Sequence, residues 1–209
     1  MDGIYIIVSA IIGASATIAS VLISRKRAKD IAKKKDPILS ETQNNENIYT
    51  ALDYLMNQMG ADRAYIMQFH NGSYYVSGRS QQKFSCTHEM VLPGISREHE
   101  HSRNHIVSNF HDYINKLTGE GSFAYSDIKS APDHAFAMMA QDKGVRSIYN
   151  VPIKTLNDTV IGILGVDYVK GYVDECAMDS CASSGDKCFD KTTNEFMRRQ
   201  ARIIAGYLI

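Results

Sequence analysis

The chain of 209 residues is long enough for one ordinary domain with a core of its own plus an accessory segment, since domains cluster at roughly 100–150 residues. Its formal net charge is zero, yet residues 1–35 carry seven Lys/Arg against Asp2 and Asp30, a local net of +5 that leaves the remainder acidic. No broad basic face is left to neutralise a phosphate backbone, which excludes nucleic acid as a partner and points the basic stretch at a membrane surface.

Ile4–Ile23, IYIIVSAIIGASATIASVLI, is a run of 20 residues without charge or proline. That length crosses a hydrocarbon core of roughly 30 Å at 1.5 Å per residue. A signal peptide carries its positive charge ahead of the apolar run, whereas here only Asp2 precedes it and Arg25, Lys26, Arg27, Lys29, Lys33, Lys34 and Lys35 follow. The sequence therefore predicts a single-pass transmembrane helix in a cell inner membrane, with everything after Arg25 in the cytoplasm. Ser9, Gly13 and Thr17 recur four apart, a ridge of small residues on which two spans can pack as a homodimer. Residues 24–43 read as a basic juxtamembrane connector, interrupted at Asp36-Pro37.

From Asn44 to Ile209 the pattern is that of a folded domain. Ile48, Leu52, Leu55 and Met59 share a helical face ending at Gly60. Arg63–His70 is rich in β-formers and leads to Asn71-Gly72, which predicts a tight turn before a second strand over Lys83–Val91. A polar, His-rich stretch follows, with a helix predicted over His105–Leu117 from Ile106, Phe110, Ile114 and Leu117, then a short strand over Ser122–Ser126. Asp133–Asp142 reads as a helix stopped at Gly144. Arg146–Ile153 and Val160–Val169 read as the two arms of an antiparallel hairpin. After a Gly/Asp/Ser/Cys-rich loop over 171–190, Thr192–Glu195 has the spacing of a capping box and opens a closing helix with Met197, Ala201, Ile204 and Leu208 on one face. Helices at both ends of an antiparallel set of strands make an α+β domain.

The segment Gly144–Ile153, GVRSIYNVPI, followed by Ile161–Val166, IGILGV, resembles the terminal hairpin of GAF domains, and the order of elements agrees from about Asn44 to Ile209. The resemblance implies a GAF-like antiparallel sheet flanked by helices, one face of which forms a small-molecule pocket while the first and last helices pack together and often dimerise. A single N-terminal span joined to such a domain is also similar in architecture to the single-pass holins of T-even phages, which makes the alternative a holin-like lysis-timing membrane protein of phage origin. In that family the soluble domain lies in the periplasm, opposite to the placement read from the charges here.

Several groups could carry chemistry. His70, Asn71, Gly72, Tyr74 and Tyr75 crowd a strand-to-turn junction, where rigid strands position a loop rich in donors and rings, and they are candidate ligand contacts. Phe84, Cys86 and His88 alternate along the second strand, so that one face should present all three to the same ligand. Glu98, His99, Glu100, His101, His105 and His111 form a polar lid, and only His101 and His105 have the four-residue spacing of a helical metal pair. Cys176, Cys181 and Cys188 lie at spacings of five and seven, a poor match to the close pairs of structural zinc sites, and with Cys86 they are open to being free thiols, a bridge or ligands. Stand-alone GAF proteins include a methionine sulfoxide reductase with cysteines around its pocket, but three of the four cysteines here sit in a late loop. No P-loop, dinucleotide fingerprint or nucleophile elbow occurs. The chain reads as a non-enzymatic, membrane-anchored sensing or interaction module, with no metal or cofactor and no output domain recognisable, for a small molecule or a protein partner.

Overall fold

The computed structural model describes residues 18, 20–26, 36–173 and 189–209. It divides into two units, Met1–Asn44 and Asn45–Ile209. In the first unit residue 18 and residues 20–26 are helical, and among the described residues no helix is long and apolar enough to cross a membrane. Most of the expected span Ile4–Ile23 and of the basic cluster Arg25–Lys35 lies outside the described residues, as do Cys176, Cys181 and Cys188.

Helix α1 covers Pro37–Met59 and so begins well before Asn44. The Asp36 carboxylate accepts from the backbone N–H of Ile38 at 2.9 Å, and Pro37 occupies the first helical position, where a missing N–H costs nothing. Asp36-Pro37 is thus a start signal as well as an interruption.

The second unit is built on a six-stranded sheet in the order β3-β2-β1-β6-β5-β4. Its strands are β1 Arg63–Tyr74, β2 Ser80–Val91, β3 His105–Ile106, β4 Phe123–Tyr125, β5 Ser147–Lys154 and β6 Val160–Tyr168, with every pairing antiparallel. Successive side chains point to opposite faces. One face, with Ala64, Ile66, Val151, Ile153, Leu164 and Val166, is covered by Leu52 and Leu55 of α1 and by Met197, Ala201 and Ile204 of the last helix, α4, Lys191–Leu208. The other face carries Tyr65, Met67, Phe84, Cys86, Ile148 and Ile163 and is covered by α2, His111–Gly119, and α3, His134–Asp142.

Three local expectations are corrected. Asn71-Gly72 is not the hairpin turn: β1 continues to Tyr74, and the chain reverses at 75–79, where Tyr75 N–H reaches Arg79 O at 2.9 Å and Gly78 adopts φ +78°. Gly72 serves close strand approach instead, because a Cβ there would lie 2.7 Å from Gln81 O. The single helix expected over His105–Leu117 is three pieces: β3 pairs with Lys83 and Phe84, a 3₁₀ turn covers Val107–Phe110, and α2 starts at His111. The free edge of β2 captures His105 and Ile106 before the helix can begin. Finally, α4 is capped by Asp190, whose carboxylate accepts from Thr193 N–H at 2.7 Å, rather than by Thr192.

Candidate functional site

The covered face of the sheet beneath α2 and α3 is mostly aromatic. The Tyr113 ring of α2 stacks on Phe136 of α3 at 3.8 Å, and Phe123 meets both edge-on. Asp133 ties the two helices together, one carboxylate oxygen capping α3 through Phe136 N–H and the other accepting from Tyr113 N–H. A buried polar chain runs beneath: Tyr65 Oη donates to Asn150 Oδ1 at 2.8 Å, and Asn150 Nδ2 donates to Tyr113 Oη at 2.8 Å. Burial pushes both phenols well above their usual range. Gly165 lies directly opposite Tyr65 on β6, and any Cβ there would collide with Asn150 Oδ1 and the Tyr65 ring.

At the end of this face where β1 begins and β6 ends, charge replaces aromaticity. Arg63 and Asp167 are directly opposite in the β1–β6 register, with Nη1 and Oδ2 at 2.9 Å and both side chains buried. Arg63 Nη2 donates to Ser96 O at 3.0 Å, and Nε faces Glu89 Oε1 at 3.4 Å. Glu89 in turn accepts from the backbone N–H groups of Glu98 and His99, which pins the loop after β2 across the charged centre. Lys143, just past α3, donates to the Ser102 hydroxyl at 2.5 Å. Burial pulls the Lys143 ammonium down and pushes the Asp167 carboxyl up, the latter against the attraction of Arg63. These groups line a cavity of about 20 Å³ together with Tyr65, Cys86 and Met139. Such a volume has room for one water, far below the roughly 300–1,000 Å³ of pockets that hold drug-sized ligands. Asp167 Oδ1, buried at its wall, accepts no hydrogen bond from the described residues.

The residues nominated from the sequence are divided by the structure. Phe84 and Cys86 sit on the aromatic face, Phe84 edge-on to Phe69 and Phe110, while burial pushes the Cys86 thiol up to about 12. His88 does not join them. The register shifts between Ile66 and Met67, so that Cys86 pairs with Met67 but His88 with Ile66. Thr87 is the extra residue of this bulge, and it turns His88 to the face covered by α1 and α4. There His88 Nε2 contacts Asn45 Oδ1 at 3.0 Å and the ring meets Tyr49. His70 Nε2 contacts Ser85 Oγ at 2.9 Å, and Asn71, Gly72, Tyr74 and Tyr75 lie along the protruding β1–β2 ribbon, away from the charged centre. His101 and His105 share no helix, since His105 is in β3. Arg63, Glu89, Lys143 and Asp167 were missed as site residues, although a charge inside each of the runs RAYIMQFH, KFSCTHEMV and VIGILGVDYV was the available signal.

No family model matches the sequence, and no curated protein matches it. Solved structures do match in shape. The GAF domain of PixJ from Thermosynechococcus elongatus, in its blue-light-absorbing form, superposes with a TM-score of 0.58 over 81% of this chain and 88% of its own at 16% identity. The fold is that of a GAF domain. The GAF-domain region of a protein from Geobacter sulfurreducens PCA is similar at a TM-score of 0.54 and 14% identity, over 83% of this chain and 98% of that one. A far-red-absorbing protein with bound biliverdin IXa gives 0.53 and 11%, over 75% and 84%. The architectural likeness to holins finds no support among these structures. In this GAF-like fold the face beneath α2 and α3 is packed with side chains, apart from the small cavity at its charged end.

Proposed function

We propose that this chain is a membrane-tethered GAF-type sensing module whose ligand is a small, polar molecule recognised by the Arg63, Asp167 and Lys143 centre. The observation that carries the reading is Asp167 Oδ1, a buried carboxylate oxygen that accepts no hydrogen bond from the described residues, at the wall of a cavity also lined by two cationic side chains. Buried ion pairs seldom stabilise a fold better than apolar packing would. Perturbed charged groups clustered in a cavity are the usual mark of a binding site. The complementary ligand carries a donor for Asp167 and an acceptor for Lys143 or Arg63 Nε, as a small zwitterion does. In its closed form the cavity admits a single water, so a small zwitterion, itself far smaller than the biliverdin bound by one structural neighbour, has to enlarge it on binding. Lys143, Glu98 and Met139 line both the inner cavity and an open groove outside α3, so entry requires α3 and the 98–102 loop to part.

Among the described residues no group at the centre is set up for covalent catalysis, since Cys86 has its thiol held protonated by burial; the module signals through binding. The tether is the uncharged run Ile4–Ile23 followed by Arg25–Lys35, a charge order that supports a cytoplasmic domain, while the small-residue ridge of the span favours a dimer. The test is thermal unfolding of the full chain in detergent against a panel of amino acids and other small zwitterions. A binder at 100 times its Kd stabilises by about 2.7 kcal/mol, and Asp167→Asn should abolish that shift. If nothing in the panel shifts the wild-type chain, the tight stacking of Tyr113 on Phe136 favours the second reading, a domain that binds a protein partner with its pocket closed.

A further inference from the structure

We propose that the end of the sheet bearing the β1–β2 and β5–β6 turns docks onto an anionic lipid surface, as a contact separate from the N-terminal tether. Pairing of β1 with β6 stops at Gln68 and Gly162, whereas β1 and β2 remain paired out to Tyr74 and Ser80. The β1–β2 ribbon therefore overhangs the sheet by about six residues, on the order of 20 Å. Its tip exposes large apolar side chains in succession: Tyr74 is 71% exposed and Val76 is 111%. Because β5 ends and β6 begins at the same end of the sheet, the second turn points the same way, and there Leu156 is 105% exposed.

Fully exposed Val and Leu at two adjacent turn tips give the folded domain nothing, and neither turn carries them for geometry, since Gly78 and Asp158 supply the positive φ values. The charge around them is mainly basic, since Asp158, the acid of the β5–β6 turn, is paired with Lys154 at 3.1 Å. From Phe69 to Lys83 the ribbon has Arg79 and Lys83 and no Asp or Glu, and α4, whose C-terminal half borders the β5–β6 turn, has Arg198, Arg199 and Arg202 and no acid after Glu195. Tyrosine at the water interface, an aliphatic side chain beyond it and basic residues behind it are what a headgroup layer accepts.

Two aliphatic tips bind lipid weakly when free in solution. Tethering changes that: only residues 24–36 separate the apolar run from the start of α1 at Pro37, a reach of roughly 20–45 Å between helical and extended, so the domain is kept at a high local concentration beside the bilayer. The inference rests on the proposed anchoring for this enhancement alone.

The chain contains no tryptophan, so Val76→Trp supplies a single reporter. The full-length variant is reconstituted into nanodiscs with about 30% anionic lipid and with brominated or plain acyl chains. The tryptophan emission of Val76→Trp should shift to the blue and be quenched by the brominated chains, and about 0.5 M salt or Arg79→Glu with Lys83→Glu should relieve the quenching. A reporter at the opposite end of the sheet, Tyr172→Trp, should stay unquenched. Unquenched emission from Val76→Trp in a chain that stays with the disc overturns docking while leaving the tether intact. If the chain does not stay with the disc, the anchoring reading fails separately, and quenching on adding the chain to anionic vesicles then supports docking, its absence overturning it. A blue shift that depends on protein concentration and not on lipid identifies a second copy as the occupant and overturns the lipid proposal.

Discussion

Arg63 and Asp167 face each other across the paired strands β1 and β6 with Nη1 and Oδ2 2.9 Å apart, and neither side chain is more than 5% exposed. Removing one partner leaves the other charge buried, whereas replacing both with apolar groups does not. Asp167→Ala should cost about 3–5 kcal/mol in urea unfolding, softened where Glu89 takes over Arg63. The double variant Arg63→Met, Asp167→Leu should recover most of that loss. If the pair serves ligand recognition, the double variant will fold and yet respond to no small zwitterion.

Gly165 is fixed by what stands opposite it. With no room for a Cβ beside the Tyr65 ring and Asn150, Gly165→Ala should force apart the Tyr65–Asn150–Tyr113 chain and cost about 1–3 kcal/mol. Tyrosine fluorescence and the unfolding midpoint should change together. Asn157→Ala, on the exposed β5–β6 turn, is the matched control and should leave both unchanged.

Five of the six strands and three helices of the GAF-like fold were legible because their apolar residues recur at the period of their element, as in Ile48, Leu52 and Leu55 or along Val160–Val169. What was not legible depended on single backbone events. The Thr87 bulge moves His88 from one face to the other, a slip that alternation cannot reveal. Asn71-Gly72 carries the sequence signature of a turn, but tertiary pairing carries β1 past it, and the chain reverses only at 75–79. The charged centre is assembled from β1, β2, β6 and the residue after α3, so each of its members looks like an isolated exception within an apolar run. Only the sheet register brings Arg63 opposite Asp167.

Two histidines, buried His88 and half-buried His105, set the acid limit. Burial lowers the pKa of His88 and, independently, of His105. A depressed folded-state pKa means the unfolded chain binds the extra proton first, so the stability linked to each is complete above about 6.5, the unfolded value. It is lost as pH falls from there through the depressed value. Unfolding free energy should therefore fall as the pH drops below about 6.5, and His88→Gln should flatten part of that slope. A slope unchanged in both His88→Gln and His105→Gln would assign it to other groups.

Cys86 lines the cavity with its thiol held protonated, so alkylation at about pH 8 has to wait for α3 and the 98–102 loop to open. Mass-spectrometric mapping with iodoacetamide should find Cys86 labelled far more slowly than an exposed cysteine introduced by Val76→Cys. Phe136→Ala removes the ring stacked on Tyr113, should cost about 3–5 kcal/mol, and should accelerate labelling of Cys86 well before global unfolding. A zwitterion bound at Asp167 should slow labelling of the wild-type chain in proportion to its occupancy. Equal labelling rates with and without a stabilising compound would place that compound elsewhere on the protein, and would separate binding in this cavity from binding at the surface.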